Sequence, residues 1–160
     1  MLVEMKVRGL ALDPVSNMPI IILRDDEDKR SLPIWVGIFE ANAIALQLEN
    51  ITTPRPMTHD LLRNMISELD ARVIRIVIND LRDSTFFAQI RLTFGSKTLE
   101  VDARPSDAIA LALRTEAPIF VAQSVLEQAQ TITPETEESD EKTKKWFENL
   151  SPEDLGKYKM

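Results

Sequence analysis

The apolar pattern Ala-Ile-Ala-Leu-x-Leu occurs twice in this chain, at residues 43–48 and again 65 positions later at residues 108–113. In both occurrences the apolar residues have the spacing of an amphipathic helix, so each predicts a helix. Two such helices in one short chain indicate that a structural unit has been duplicated. The alternative is coincidence, because alanine and leucine are common helix formers and a six-residue match is short.

The elements predicted around the two motifs follow the same order: strand, Asp-containing turn, hairpin, loop and helix. The first half comprises strand 2–12, a turn at 13–17, a hairpin of strands 20–23 and 31–36, and helix 38–50, whose apolar positions include Phe39. The second half comprises strand 73–78, a turn at 79–84, a hairpin of strands 85–93 and 99–103 around Gly95-Ser96, and a helix capped by Ser106 that ends at Pro118.

A further helix is predicted between the two halves, beginning at residue 58. Thr58 is the expected N-cap, and Asp60 lies in the first turn, where the helix dipole favours a negative charge. Its inward face is expected to consist of Leu61, Leu62, Met65, Ile66 and Leu69. The whole pattern predicts an α+β fold with antiparallel or mixed sheets, hairpins and three main helices, built as an internally duplicated β-β-β-α unit.

The length of 160 residues, with 44% apolar residues, is enough for one ordinary core. We therefore expect a single domain at residues 1–128. Residues 129–160 are expected to form an acidic linker and a short amphipathic helical tail, because the charged, threonine-rich stretch gives way to Trp146, Phe147 and Leu150. That tail is equally compatible with a docking peptide and with a frayed end.

Composition excludes several classes of protein and site. No stretch is apolar enough to span a bilayer or to act as a signal peptide, which predicts a soluble cytoplasmic protein without membrane association. The absence of cysteine excludes disulfides, thiolate metal sites and cysteine nucleophiles.

A net charge of −7 argues against a broad basic surface for nucleic acid. Of the 14 basic residues in residues 1–130, however, 11 are arginine, which suits fixed pairing with carboxylate or phosphate.

The segment that leads into the second repeated motif combines three kinds of chemistry. Asp102 and Asp107 flank Arg104, and Ser106 is expected to cap the helix that follows. Carboxylates can hold a magnesium or manganese ion, arginine binds phosphate in a bidentate manner, and a helix N-terminus offers free N–H groups to an anion. The alternative is structural: Asp107 complements the helix dipole and Arg104 pairs with a neighbouring acid.

Two further segments contain candidate residues. Arg55 lies between two prolines, on a stiff extended stem close to Thr58, His59 and Asp60, and His59 is the single histidine of the chain. A histidine beside a carboxylate can act as a general base, although one at a helix start is more often structural. Asp80 and Asp83 bracket a turn; they are candidate metal ligands, but turns use aspartate routinely to bond their own backbone.

Several ungapped motifs in one order resemble the bifunctional nuclease domain family, a bacterial domain family formerly of unknown function. The resemblance covers about residues 3–127. It rests on LPIWVG at 32–37, EA at 40–41 with AIAL at 43–46, PRPMTHDLL at 54–62, DLRDSTF at 80–86 and DARPSDAIAL at 102–111. Two positions depart from the expected pattern: Ser84 stands where glycine is usual, and Phe87 where tyrosine is usual.

The resemblance implies a compact, often self-associating α+β domain that cleaves RNA and DNA. We therefore expect a metal-assisted nuclease whose substrate is nucleic acid and which forms a homo-oligomer, a dimer being favoured. The candidate catalytic residues are His59, Asp102 and Asp107; the phosphate-binding residues Arg55, Thr58, Arg104 and Ser106; the metal ligands Asp80, Asp83, Asp102 and Asp107; and the further candidates Glu40 and Asp60. The alternative is a non-catalytic oligomeric binding or regulatory module with structural acid–arginine pairs.

Overall fold

A computed structural model of the protein describes residues 1–27 and 29–129. The predicted acidic linker and amphipathic tail lie outside the described residues. In chain order the described elements are β1 (Leu2–Leu12), β2 (Pro19–Asp25), β3 (Ser31–Trp35), α1 (Ile38–Leu48), α2 (Thr58–Glu68), β4 (Arg72–Arg82), β5 (Thr85–Phe94), β6 (Lys97–Ala103), α3 (Pro105–Thr115), β7 (Ile119–Ala122) and α4 (Gln123–Gln128).

All seven strands belong to one mixed sheet with the order β3-β2-β1-β7-β4-β5-β6. The hairpins β1-β2-β3 and β4-β5-β6 are antiparallel, whereas β7 pairs antiparallel with β1 and parallel with β4. The two three-stranded units are therefore placed in mirrored order on either side of β7 and run in opposite directions. This is the arrangement that a twofold rotation about an axis perpendicular to the sheet produces, and it confirms the predicted α+β class with mixed pairing.

One face of the sheet forms the core with the helices. Because successive strand residues point to opposite faces, alternate residues of every strand lie on that inward face. In β2 and β3 these are the buried Ile21, Leu23, Leu32 and Ile34. The repeated Ala-Ile-Ala-Leu motifs provide the helical side of the core: α1 packs on β2, α3 packs on β4 and β5, and the two helices contact each other. The small alanines of both motifs permit this close approach.

Helix α2 does not fit the prediction for its apolar face. Leu61, Leu62, Met65 and Leu69 are 38–62% exposed, and only Ile66 of the predicted stripe packs partly on the core. The prediction that this stripe faces inward is therefore wrong. Periodicity located an apolar face, but the helix contacts α3 and β4 through its other side. Phe39, one of the apolar positions of the predicted helix 38–50, is 64% exposed.

The helix starts also differ by one or two residues from the prediction. The N-cap of α2 is Met57, and Thr58 is its first helical residue. The N-cap of α3 is Arg104, followed by Pro105 at the first helical position and Ser106 at the second. Proline is favoured at that first position because the N–H that it lacks would have no intrahelical partner. Neither hydroxyl residue therefore caps its helix.

Candidate functional site

Three helices begin with an acidic residue at the same position. Glu40, Asp60 and Asp107 are each the third residue of their helix, in α1, α2 and α3 respectively. The first turn of a helix has N–H groups without intrahelical partners and a positive dipole end, so a carboxylate is stabilised there. Because α3 packs against both α1 and α2, side chains from the three first turns come together.

A chain of four side chains connects these helix starts. Nε2 of His59 lies 2.9 Å from Oδ1 of Asp107. The other carboxylate oxygen of Asp107 accepts a hydrogen bond from Nε of Arg104 at 2.9 Å and lies 2.8 Å from Nη2 of Arg104 in the same ion pair. Nη2 of Arg104 also lies 3.1 Å from Oε1 of Glu40. We call His59, Asp107, Arg104 and Glu40 the four-residue chain.

Burial changes along the four-residue chain. The His59 side chain is 10% exposed and that of Arg104 is 67% exposed, so one end is enclosed and the other is open to solvent. Hydrogen bonding and charge from Asp107, followed by the charge of Glu40, raise the pKa of Arg104 above its ordinary value. Arg104 is therefore a permanent cation that is fixed in place and accessible to an anion.

A glycine makes room for Glu40. Gly37 is the N-cap of α1, and a Cβ atom built on it would clash with Oε2 of Glu40. The Glu40 carboxylate therefore folds back over the backbone of residue 37. Sequence reasoning missed this role, although glycine directly before a helix start followed by an acid three residues later was a visible signal.

Asp60 does not join the four-residue chain but holds α2 and α3 together. Its Oδ1 accepts a hydrogen bond from Nε of Arg114 at 2.7 Å, and its Oδ2 accepts one from the Met57 N–H at 3.0 Å. Burial opposes ionisation of Asp60, but the hydrogen bonds from Met57 and Arg114 and the charge of Arg114 outweigh it and lower its pKa. Arg114 also donates to the carbonyl oxygens of Ala110 and Ala43.

Arg114 was absent from the sequence-based candidates. Its side chain is 2% exposed, and it joins α1, α2 and α3 through the three partners above. The available signal was an arginine in the last turn of an otherwise apolar helix, which requires a buried acid or carbonyl partner. We assign Arg114 a structural role that fixes α2, and with it His59, against α3.

The predicted phosphate-binding residues differ in their exposure to solvent. Arg55 and Thr58 are exposed in the segment that enters α2, and Arg104 is the exposed member of the four-residue chain. Ser106, in contrast, is only 6% exposed. Three of the four residues are thus accessible to a ligand, and Ser106 can contribute chiefly through the backbone of the first α3 turn.

The structure separates Asp80, Asp83 and Asp102 from the four-residue chain. Asp80, at the end of β4, accepts a hydrogen bond from Arg82, which lowers its pKa. Asp83 is exposed in the β4–β5 turn with a φ of 49°. Asp102 is exposed on β6 opposite Gln89. Because Ala103 faces the core, its neighbour Asp102 points to the other face of the sheet, away from Asp107.

A shared metal site is not supported by these positions. Within residues 1–27 and 29–129, no group of three or more His, Asp or Glu side chains is close enough to hold a metal ion. The predicted ligands Asp80, Asp83, Asp102 and Asp107 do not converge, so the residues present do not fit a site built from this set.

The described helices include none with the length and apolar character that a membrane crossing requires.

Comparison with known proteins identifies a family and several relatives to which this chain is similar. The family model described as the bifunctional nuclease domain matches residues 21–134. An uncharacterized protein of Mycobacterium tuberculosis is 37% identical over 162 residues, covering 95% of this chain and 97% of the relative. Bifunctional nuclease 2 of Oryza sativa subsp. japonica is 32% identical over 74% of this chain, and bifunctional nuclease 1 of Arabidopsis thaliana is 28% identical over 64%.

The plant relatives are much longer than the matched region, which covers 38% of the rice protein and 33% of the Arabidopsis protein. The mycobacterial relative, in contrast, is matched along almost its whole length. The match to the family model spans α1 to α4 and includes every member of the four-residue chain. The chain therefore belongs to the bifunctional nuclease domain family.

Proposed function

We propose that this protein is a nuclease that hydrolyses phosphodiester bonds in RNA or DNA, and that its active site is the four-residue chain. The observation that carries the proposal is the enclosed His59–Asp107 pair joined directly to the exposed Arg104. The family membership and the names of the plant relatives support the reaction class. The activity of the whole plant proteins is extended here only to the shared domain.

His59 is the proposed general base. With the neutral ring protonated at Nε2 and donating to Asp107, its Nδ1 is left as a proton acceptor. Nδ1 takes a proton from the attacking water as the water oxygen bonds to phosphorus and the P–O bond to the leaving oxygen breaks, and Asp107 stabilises the imidazolium that forms. The proton then passes from the imidazolium to the leaving oxygen, which regenerates the neutral ring. The same hydrogen bond holds the ring in the required tautomer. A positioned base of this kind contributes a rate factor of roughly 10²–10⁴.

Arg104 is the proposed phosphate ligand. Two of its nitrogens bond Asp107 and one of these also bonds Glu40, so its orientation is fixed before substrate arrives. The exposed side of this fixed guanidinium donates hydrogen bonds to the scissile phosphate, while its charge is shared with Asp107 and Glu40. Arg55, Thr58 and the free N–H groups of the first α3 turn at Ser106 extend the same anion-binding region. Glu40 acts through Arg104 and is a positioning residue.

Use of a divalent metal stays a prediction. Magnesium is commonly held by one or two carboxylates together with substrate phosphates, which does not require the three-ligand protein site that these residues fail to form. No step above passes through a metal. Cleavage measured with magnesium, with manganese and with chelator tests this prediction directly.

The proposal is tested with matched carboxylate and histidine variants. Purified wild type, His59→Gln and Asp107→Asn are compared on single-stranded RNA and DNA, with Asp70→Asn, at the end of α2, as the control. We expect each site variant to lose at least about 100-fold in rate and the control to retain wild-type activity. Equal cleavage by all four preparations would indicate a contaminating nuclease and overturn the proposal.

An Asp102→Asn variant distinguishes the four-residue chain from the carboxylate set that the sequence predicted as the active site. Asp102 faces away from the four-residue chain, so the proposed mechanism gives it no role. A large loss of activity in this variant, with His59→Gln active, would instead favour the carboxylate set predicted from the sequence.

A second candidate function is a non-catalytic oligomeric module. It is favoured by apolar side chains that lie at the surface of a single chain: Leu61 and Met65 on α2, Leu69 at the C-cap of α2, and Leu99 and Val101 on β6. Contiguous exposed apolar surface commonly marks a protein interface. A homo-oligomer, with a dimer favoured, is compatible with both functions. Light scattering should give a mass above that of one chain, and Leu61→Ser with Leu69→Ser should reduce it.

A further inference from the structure

The sheet face opposite the helices carries two pairs of basic residues. Lys6 of β1 is paired with Arg24 of β2, and Arg75 of β4 is paired with Arg91 of β5. Their chain neighbours on the inward face are buried, so these four side chains point outward. All four retain solvent exposure.

Strand β7 places the two pairs in one line. Ile119 of β7 is paired with Met5 of β1 and with Ile76 of β4, and the Ile76 N–H bonds the carbonyl oxygen of Pro118. Lys6 and Arg75 therefore lie on either side of Pro118. Arg24, Lys6, Arg75 and Arg91 form what we call the basic row, which crosses five neighbouring strands. At about 4.8 Å per strand, the row is roughly 19 Å long.

The charges of the basic row are only partly balanced. Arg91 pairs with Glu100, and Lys6 lies 3.9 Å from Asp26 in an exposed contact that contributes little. For Arg24 and Arg75, the structure shows no ion pair within the described part of the chain. The Nε atoms of both are shielded from solvent and have no hydrogen-bond partner among the described residues. Both guanidinium groups therefore have hydrogen-bonding capacity that the described residues do not use.

One aromatic ring, Phe120, adjoins the basic row, and a second, Phe87, lies farther along β5 on the same face. The Arg75 guanidinium lies 5.7 Å from the ring centroid of Phe120, and that of Arg82 lies 5.1 Å from the ring centroid of Phe87. Aromatic rings beside arginines on an open sheet are a typical platform on which unpaired bases stack. A duplex keeps its bases stacked on each other, so this combination fits a single strand.

We propose that the basic row binds the phosphates of a single-stranded RNA or DNA segment whose bases stack beside Phe120 and Phe87. This inference rests on the proposed function and gives that site its substrate class. A second copy of the chain fits the face less well, because two basic rows would repel each other. The ligand that complements the row is a polyanion.

The sheet edge links the basic row to the four-residue chain. Arg91 is paired with Glu100 of β6, the edge strand, and Arg104 follows the last residue of that strand. The distance from residue 100 to residue 104 is about 13 Å along an extended chain. A nucleic-acid strand that passes Arg91 and turns over the β6 edge thus reaches the exposed cation of the candidate active site.

Binding and cleavage are measured separately to test this proposal. Binding is followed by fluorescence anisotropy with labelled 12-nucleotide poly-U and poly-dT, with a 12-base-pair duplex as comparison, in chelator and in magnesium. The variant Arg24→Gln/Arg75→Gln is compared with Arg63→Gln/Lys97→Gln, which removes the same charge from α2 and from the first residue of β6. Melting temperatures verify that both variants fold.

We expect the row variant to bind single strands at least about tenfold more weakly, and the salt slope of its log K to be smaller in magnitude by about 1.4, the value for two lost phosphate contacts. The control should resemble wild type. Equal binding by the two variants, no binding by wild type, or tighter binding of duplex would each overturn the proposal. A change in oligomer mass in the row variant without weaker binding would assign the face to a second copy and also overturn it.

The outcomes distinguish this proposal from the proposed function. Wild type that binds single strands through the row but cleaves nothing would leave the binding surface in place and reject the nuclease. Cleavage that depends on His59, together with a KM that is unchanged in the row variant, would support the nuclease and reject the basic row as its binding surface.

Discussion

The two repeated halves of the molecule place equivalent strands in different surroundings. Leu32 and Ile34 of β3 correspond to Leu99 and Val101 of β6, 67 positions later, and all four point to the helical face of the sheet. Leu32 and Ile34 are 0% and 3% exposed, whereas Leu99 and Val101 are 42% and 43% exposed. The same strand pattern is thus part of the core in one half and an uncovered apolar edge in the other.

The helices explain this difference. Helix α3 occupies the centre of the helical layer, where it packs on β4 and β5 and contacts both α1 and α2. That central position leaves β6 uncovered, but it also places Asp107 between His59 and Glu40. The duplication therefore provides the scaffold, and the departure from symmetry in the second half both builds the candidate site and leaves apolar surface available.

The largest effect should come from the residue that holds the central helix in place. Arg114→Met leaves the half-buried Asp60 carboxylate and the carbonyl oxygens of Ala43 and Ala110 without their partner, which costs about 3 kcal/mol of unfolding free energy. Arg63→Met, on the α2 surface, is the matched control and should change stability by less than about 0.5 kcal/mol. Urea unfolding of the two variants measures both. Similar losses would show that α3 does not depend on this ion pair.

The equivalent strand positions give the most direct comparison. Leu32→Ala removes a fully buried side chain and should cost about 2–5 kcal/mol, whereas Leu99→Ala should cost less than about 1 kcal/mol in a monomer. Urea unfolding at low protein concentration measures the difference. A large, concentration-dependent loss for Leu99→Ala would show that another chain covers β6.

A smaller effect is expected at the turn of the second half. Asp83 and Ser84 both have positive φ, at 49° and 63°. A non-glycine residue in this conformation is strained by about 1–2 kcal/mol, so Ser84→Gly should raise stability by up to about 1 kcal/mol. Ser16→Gly, in the longer turn of the first half, is the control and should not stabilise. Thermal unfolding of both variants decides between these outcomes.

The smallest effect should be the pH dependence that Asp60 contributes. Its folded-state pKa is lowered, so the stability that it provides is present above its ordinary pKa of 3.8 and is lost as pH falls through the folded value. Asp60→Asn should therefore flatten the loss of stability below about pH 4. Unfolding free energies at pH 7, 4 and 3 test the sign. An unchanged acid profile would show that Asp60 is not perturbed.

Most of the local structure could be predicted from the sequence, because alternation and helical spacing act over short range. β1 to β3, β5, β6 and the three 11-residue helices lie close to their predicted segments. The prediction for β4 was too short, because the strand continues to Arg82 through most of the predicted turn at 79–84. β7, with four residues, and α4, with six, were missed because such short segments give little periodic signal. The apolar face of α2 was recognised, but whether another element packs on that face depends on tertiary structure, which local periodicity does not indicate.

The members of the candidate site could be predicted from the sequence, but part of their arrangement could not. His59, Asp107, Arg104 and Glu40 were all singled out, since acids and arginines at helix starts have a recognisable chemistry. That Asp102 points away from Asp107 depends on strand register, and that Arg114 anchors Asp60 depends on a contact 54 residues apart in sequence. The basic row could not be foreseen from a net charge of −7, because it assembles across five strands.

The position of β7 has a consequence for folding. This strand alone joins the two halves of the sheet, and it pairs Ala122 with Leu2 and Val121 with Ile78. During synthesis, β1 and β4 therefore expose unpaired edges until residues 119–122 have left the ribosome. Closing the sheet requires a contact between distant ends of the domain, which is characteristic of slow folding. Each hairpin unit can form early, but the complete sheet cannot form until β7, the last of its strands to be synthesised, is available.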